Sequence, residues 1–182
     1  MIRHIVLVNG LGKWQPFYWL VTQLWKLRGF QAHLFWFSWE DSEETYDEKM
    51  RRLQELCQAL APKGVAVIGV SAGGTAAVNV LARVPTIQRV ITVSSPYYLV
   101  GPVQSKLLAL ASEELKQTMK QLSVDTKQKI ISLHATRDLI VGIQQSMPPG
   151  IAHIQLKSVG HVQTIFYVLV LNGARLQQFL RP

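Results

Sequence analysis

Three residue types that together can activate a hydroxyl for attack stand in suggestive settings along this chain. Ser71 lies within Gly69-Val70-Ser71-Ala72-Gly73-Gly74, Asp138 within Arg137-Asp138-Leu139-Ile140-Val141, and His161 directly after Gly160. A serine hydroxyl is a poor nucleophile at neutral pH, so it needs a neighbouring base. An imidazole is best matched to that task, and a carboxylate orients the imidazole and stabilises its charged form. The Gly-x-Ser-x-Gly spacing is the pattern of a nucleophile elbow, a strained strand-to-helix turn that lifts the hydroxyl above a sheet. Side chains at the glycines would crowd that turn or block the approach of strand and helix, and Gly74 extends the relief by one position. Five residues rich in glycine and serine are by themselves the composition of any turn, so the flanks decide the reading. Upstream is an apolar run of strand length, Val65 to Val70. Downstream, Thr75 to Arg83 is alanine-rich and closed by Pro85, as expected of a helix.

The rest of the chain repeats this strand-then-helix alternation. Ile5 to Val8 is a continuous apolar run of the kind buried on both faces of a parallel sheet. After Asn9-Gly10-Leu11-Gly12, Pro16 suits a first helical turn, and Phe17, Leu20, Val21, Leu24 and Trp25 recur at helical spacing until Gly29. A second strand is predicted over Ala32 to Phe37, followed by a helix capped by Ser42, with Glu43 and Glu44 in its first turn and Tyr46, Met50, Leu53, Leu56, Cys57 and Leu60 along one face. Further strands are predicted over Arg89 to Ser94, Lys129 to Ala135 and Ala152 to Leu156. A last helix is expected from near Val162, with a break at Asn172-Gly173, to Leu180. Parallel strands need crossovers and helices serve as crossovers, so the expected architecture is α/β, a doubly wound, mostly parallel six-stranded sheet flanked by helices. The stretch 97–128 breaks the alternation with helical pieces at 106–110 and 112–122. It reads either as a short lid or insertion over the site or as an ordinary crossover.

Such sheets carry their sites at the carboxyl ends of the strands, where Asn9-Gly10-Leu11-Gly12, Ser71-Ala72, Asp138 and His161 all fall. Competing residues fit less well. His4 and His33 precede the serine, His134 and His153 lie inside strands, Asp125 precedes the fifth strand, and Asp41 follows the second strand as a helix cap. An acyl-transfer intermediate also needs two donors for its oxyanion, expected to be the backbone N–H groups of Ala72 and Leu11. The glycine loop at 10–12 lacks the third glycine of a dinucleotide fingerprint and the lysine of a phosphate loop, which argues against nucleotide binding. Trp14, Phe17, Tyr97 and Tyr98 are candidate walls of an acyl pocket, with ordinary packing as the competing reading.

At 182 residues, 48% hydrophobic and 16% charged, the chain is expected to form one domain over 1–182, with no low-complexity or linker segment. The net charge of +8 is spread along the chain, with Arg51-Arg52 adjacent. This pattern argues for a solvated basic surface and against nucleic acid as a partner, while leaving weak association with anionic lipid surfaces open. Cys57, the single cysteine, falls on an apolar helix face and reads as a core residue. Met1 to His4 leads straight into a strand-like run, and the apolar run Ile165 to Leu171 is too short to span a bilayer, so a soluble cytoplasmic protein is expected.

The combination of Val8-Asn9-Gly10-Leu11-Gly12, Gly69 to Gly74, Arg137 to Val141 and Gly160-His161 resembles the α/β-hydrolase superfamily over almost the whole chain, and its small size resembles minimal, lid-poor members of the esterase and lipase type. The order Ser71, Asp138, His161 is the order of that superfamily's triad. The resemblance implies a sheet in the order second, first, third, fourth, fifth, sixth strand. It also implies a serine hydrolase acting on a small-molecule carboxylic ester or thioester through an acyl-enzyme, with no cofactor and no metal. An acyltransferase or amidase on the same triad, a lipid-surface enzyme, and a noncatalytic binding protein of the same fold are the alternatives. Asn9 departs from the histidine that many members carry before the oxyanion glycine, which bears on loop hydrogen bonding.

Overall fold

The computed structural model describes residues 2–40, 43–100, 105–171 and 178–180. Six strands form one sheet in the order β2-β1-β3-β4-β5-β6: β1 His4–Val8, β2 Gln31–Phe35, β3 Val65–Val70, β4 Arg89–Val93, β5 Ile130–Arg137 and β6 Ala152–Val159. Every neighbouring pair is parallel. The helices are α1 Gln15–Leu27, α2 Tyr46–Leu60, α3 Gly73–Arg83, α4 Lys106–Gln121, α5 Val124–Lys127 and α6 His161–Phe166.

β3 is apolar at every position, and β1 is from Ile5 on, because both faces of the sheet are covered. Along β1 and β3 the side chains alternate between two cores. Val6, Val8, Val65 and Val67 join α2, α3 and α4 on one face, while Ile5, Leu7, Ala66, Ile68 and Val70 join α1 and α6 on the other. Cys57 is buried in the first of these cores, where desolvation pushes its thiol up to about 12, so it stays a small apolar packing group.

Several boundaries differ from expectation, each for a local reason. β2 ends at Phe35 rather than Phe37, because β1 ends opposite it at Val8 and the Asn9 side chain takes over the Phe37 backbone. The cap of α2 is Thr45, three residues after the expected Ser42. Thr45 accepts the Glu48 N–H while the Glu48 carboxylate accepts the Thr45 N–H at 2.7 Å, a reciprocal capping box that outcompetes a lone serine. Ser42 and Asp41 lie outside the described residues, as does the break expected at Asn172-Gly173. Within 97–128, the two expected helical pieces are one 16-residue helix, α4, whose Leu108, Ala111 and Leu115 pack into the core beside α3; residues 101–104 lie outside the description. A fixed point in that packing is Asn79, whose amide donates to the Ala111 carbonyl at 2.9 Å.

The difference that matters most for function is at β5 and β6. Both run beyond the expected ends, Ala135 and Leu156, to Arg137 and Val159. Past Leu133 the fifth strand loses β4 as a neighbour and continues with β6 alone, through an irregularity at Ala135/Arg137. The Gly160 N–H then donates to the Arg137 carbonyl at 2.7 Å. This two-stranded extension brings the residues following each strand, Asp138 and His161, side by side.

Candidate active site

At the end of β3 the chain turns into α3 through Ser71, whose φ of 50° is a left-handed conformation rarely adopted by residues other than glycine. Such a residue costs on the order of 1–3 kcal/mol and persists only where its surroundings over-determine it. Here they do. A Cβ on Gly69 would stand 2.6 Å from the Gly74 Cα, and one on Gly73 would stand 2.9 Å from the Val8 carbonyl carbon. The Ser71 N–H donates to the Val93 carbonyl at 2.9 Å, and the Gly74 N–H returns to the Ser71 carbonyl at 3.0 Å. The turn is therefore clamped between β1, β4 and the start of α3.

Above that turn, His161 Nε2 lies 3.0 Å from Ser71 Oγ, and its Nδ1 lies 2.8 Å from Asp138 Oδ2. A carboxylate only accepts, so Asp138 places the imidazole proton on Nδ1 and leaves Nε2 free to accept from the serine hydroxyl. The other carboxylate oxygen, Oδ1, accepts the N–H groups of Ile140 at 2.9 Å and Val141 at 3.0 Å, which fixes the acid. The His161 and Asp138 side chains are 9% and 3% exposed. His161 opens α6 directly after Gly160, whose φ of 97° lets the chain swing from β6 into the helix. Thr164 holds that swing by donating to the Gly160 carbonyl at 2.7 Å.

The loop after β1 closes in from the other side. Gly10 lies so near the serine that a Cβ there would be 2.9 Å from Ser71 Cβ. Asn9 is buried and fully engaged: Oδ1 accepts the Phe37 N–H at 2.6 Å, and Nδ2 donates to the carbonyls of Gly10 at 2.8 Å and Phe37 at 3.2 Å. Trp39 Nε1 adds a bond to the Asn9 carbonyl at 3.0 Å. The departure at Asn9 thus ties the glycine loop to the segment after β2. Among the described residues, neither the Leu11 nor the Ala72 N–H donates a hydrogen bond within the chain, and both residues border the same cavity as Ser71.

Two cavities meet at Ser71. One, about 340 Å³, is walled by Trp14, Phe17, Tyr18, Val162, Ile165 and Phe166, and His161 lies on its edge. The other, about 700 Å³, is bordered by Ala72, Leu99, Leu108, Ile140, Val141 and Gln145. A third cleft, about 560 Å³, between α1 and the residues after β2, touches none of Ser71, Asp138 and His161. Of the four aromatic candidates, Trp14 and Phe17 line the smaller cavity. Tyr97 and Tyr98 line neither. Ser94, with φ 48°, turns the chain sharply after β4, and Tyr97 folds back into the core, its hydroxyl 3.0 Å from Thr92 Oγ1 and its acidity suppressed by burial. Tyr98 is half exposed, and its carbonyl is held by Gln145. The walls repeat a simple spacing: 14, 17 and 18 leading into α1, and 162, 165 and 166 on α6, two faces of i, i+3, i+4 turned toward each other, of which Tyr18, Val162, Ile165 and Phe166 go unmarked in the sequence reading. Asp125 sits in α5, and among the described residues no three His, Cys, Asp or Glu side chains are grouped to hold a metal ion.

No family model matches the sequence, and no curated protein matches it. Solved structures do match. A monoacylglycerol lipase from Paleococcus ferrophilus superposes with a TM-score of 0.67 at 14% identity, over 97% of this chain and 93% of that one. An esterase from Pyrococcus furiosus superposes with a TM-score of 0.65 at 18% identity, over 98% and 82%. An α/β-hydrolase enzyme from a lagoon-sediment metagenome superposes with a TM-score of 0.62 at 12% identity, over 98% and 90%. Likeness at such identities speaks for the fold.

Proposed function

We propose that this chain, which has the α/β-hydrolase fold, is a serine hydrolase that cleaves a carboxylic ester or thioester through an acyl-enzyme. The observation that carries the reading is the unbroken series Ser71 Oγ, His161 Nε2, His161 Nδ1, Asp138 Oδ2, with separations of 3.0 and 2.8 Å across its two contacts. His161 accepts the Ser71 proton as Oγ bonds to the substrate carbonyl carbon, and Asp138 stabilises the imidazolium. The oxyanion lies toward the N–H groups of Leu11 and Ala72, the latter at the positive end of α3. Imidazolium then gives its proton to the leaving oxygen or sulfur as that bond breaks. Water, deprotonated by His161, attacks the acyl-enzyme, and the carboxylic acid leaves as Ser71 regains its proton. The esterase and lipase named above make an ester the first substrate class to try.

The direct test is labelling with a serine-directed fluorophosphonate, in which Oγ bonds to phosphorus and fluoride departs. Wild-type protein is expected to label and Ser71→Ala is not. An unlabelled wild type, or equal labelling of the variant, ends this reading.

A further inference from the structure

We propose that the two cavities divide the substrate, the alcohol half entering the aromatic cavity beside His161 and the acyl half entering the larger cavity beside Ala72, which makes esters of apolar, ring-bearing alcohols the preferred class. The inference rests on the serine-hydrolase reading and follows from where a proton must go. In the tetrahedral intermediate the reacting carbon bears four groups: Ser71 Oγ, the oxyanion, the acyl carbon and the alcohol oxygen. The oxyanion is directed to the Leu11 and Ala72 N–H groups. The alcohol oxygen must face the imidazolium, because without that proton the carbon–oxygen bond to the leaving group does not break in preference to the bond to Ser71. The alcohol therefore continues from the imidazole side. Of the two cavities that touch Ser71, the one of about 340 Å³ borders His161, and the one of about 700 Å³ borders Ala72 and not the imidazole.

The walls then set the chemistry of each half. Trp14, Phe17, Tyr18 and Phe166 give the alcohol side four rings, Phe17 and Phe166 being stacked with centroids 6.3 Å apart. The Tyr18 hydroxyl is already used as acceptor for the Gly10 N–H. A hydroxyl-rich or charged alcohol placed there loses more water than the Tyr18 O–H can replace, whereas an aryl or benzyl group gains ring contacts. On the acyl side Ser105 and Gln145 are engaged within the wall, and the exposed Glu40 is the charged member of the lining. Gln145 donates to the Tyr98 carbonyl and accepts the Gly142 N–H, both at 2.8 Å, so its amide orders the wall and leaves Leu99, Leu108, Ile140 and Val141 to meet an acyl chain.

The experiment is a matrix of esters. Ethyl and benzyl butyrate differ only in the alcohol, and benzyl acetate, butyrate and octanoate differ only in the acyl group. Wild type is expected to favour benzyl over ethyl butyrate by about tenfold in kcat/KM, and to gain up to about fourfold per added acyl methylene until its cavity fills. Phe166→Ala, on a partly exposed helix face, and Val162→Ala as a second variant, should shrink the benzyl-to-ethyl ratio and leave the octanoate-to-acetate ratio unchanged. Leu99→Trp should do the converse, penalising octanoate over acetate. If the alcohol-side variants change the acyl-chain ratio while the alcohol ratio holds, or if no variant moves either ratio, the division is wrong. In that case fluorophosphonate labelling of Ser71 leaves the hydrolase reading standing, and its absence removes both.

Discussion

The two sides of the site are held in place by different physics. On the elbow side, Ser71 and the Gly10 loop are locked by packing: β3 is buried along its length, and the glycines at 10, 69 and 73 leave no room for even a methyl group. On the acid–base side, Asp138 and His161 follow two strands that have run past the shelter of the sheet, amid exposed Leu139, Val159 and Val162. There a few hydrogen bonds do the positioning. The nucleophile's geometry should therefore be inseparable from folding, while the base and acid can be disabled in a molecule that remains intact.

The sharpest way to break that contrast is Gly73→Val. Its side chain meets the Val8 and Asn9 carbonyls, and the loss of stability is expected to exceed about 4 kcal/mol. A cooperative melt within a few degrees of wild type would show that the elbow yields and that packing does not fix it. Asp138→Asn examines the other side. Its oxygen can still accept from Ile140 and Val141, but its amide cannot accept from His161 Nδ1. The expected fall in kcat is about 10⁴-fold, the size known for the same change in a serine protease triad, with a shift in Tm under about 4 °C. A large drop in Tm would place structural weight on the acid loop. Asn9→Leu lies between the two, since it strands the buried Phe37 N–H while keeping volume. It is expected to cost about 1–3 kcal/mol in urea unfolding and to lower kcat by loosening the Gly10 loop.

The smallest expected effect concerns three histidines within the strands, away from the triad. Burial, then the Lys63 and Arg3 charges, lowers the His4 pKa below 6.5, and burial, then His4 and Lys26, lowers that of His33. The two rings stack with centroids 5.4 Å apart. Burial, then His153, lowers His134 too. A histidine whose folded pKa is depressed contributes stability that is present above its unfolded value and lost as pH falls. Stability should therefore hold above about pH 6.5 and decline below it. His33→Gln should reduce that decline; an unchanged pH profile of Tm would rule the pair out as its source.

β1 and β3, and with them the place of Ser71, were legible because buried parallel strands write themselves as apolar runs ending at glycine. Asp138 and His161 were legible as residues just past further strand-like runs, and the strand order followed only from the resemblance to the α/β-hydrolase superfamily. The ends of β5 and β6 were not. Thr136-Arg137 and Lys157-Ser158 are polar, and what makes these stretches strand is that β5 runs on beside β6 until Arg137 stands opposite Val159, a contact between distant residues that composition does not record. Tyr97 misled for a related reason: it is close in sequence to the carboxyl end of β4, but the turn at Ser94 sends its ring inward. The walls at 162, 165 and 166 needed only the helical spacing of α6 and the knowledge that α6 faces the lead-in to α1, which the fold supplies.

The short helix α6 carries His161 at its first position and, within one turn and a half, Val162, Ile165 and Phe166 along the neighbouring cavity. Selection on that cavity therefore acts on the same six residues that hold the base, so a change of taste there risks a change of turnover. Leu99 and Leu108 sit on segments that hold none of the three reacting side chains. In a lineage descended from this chain, the larger cavity should diversify early and the aromatic one late.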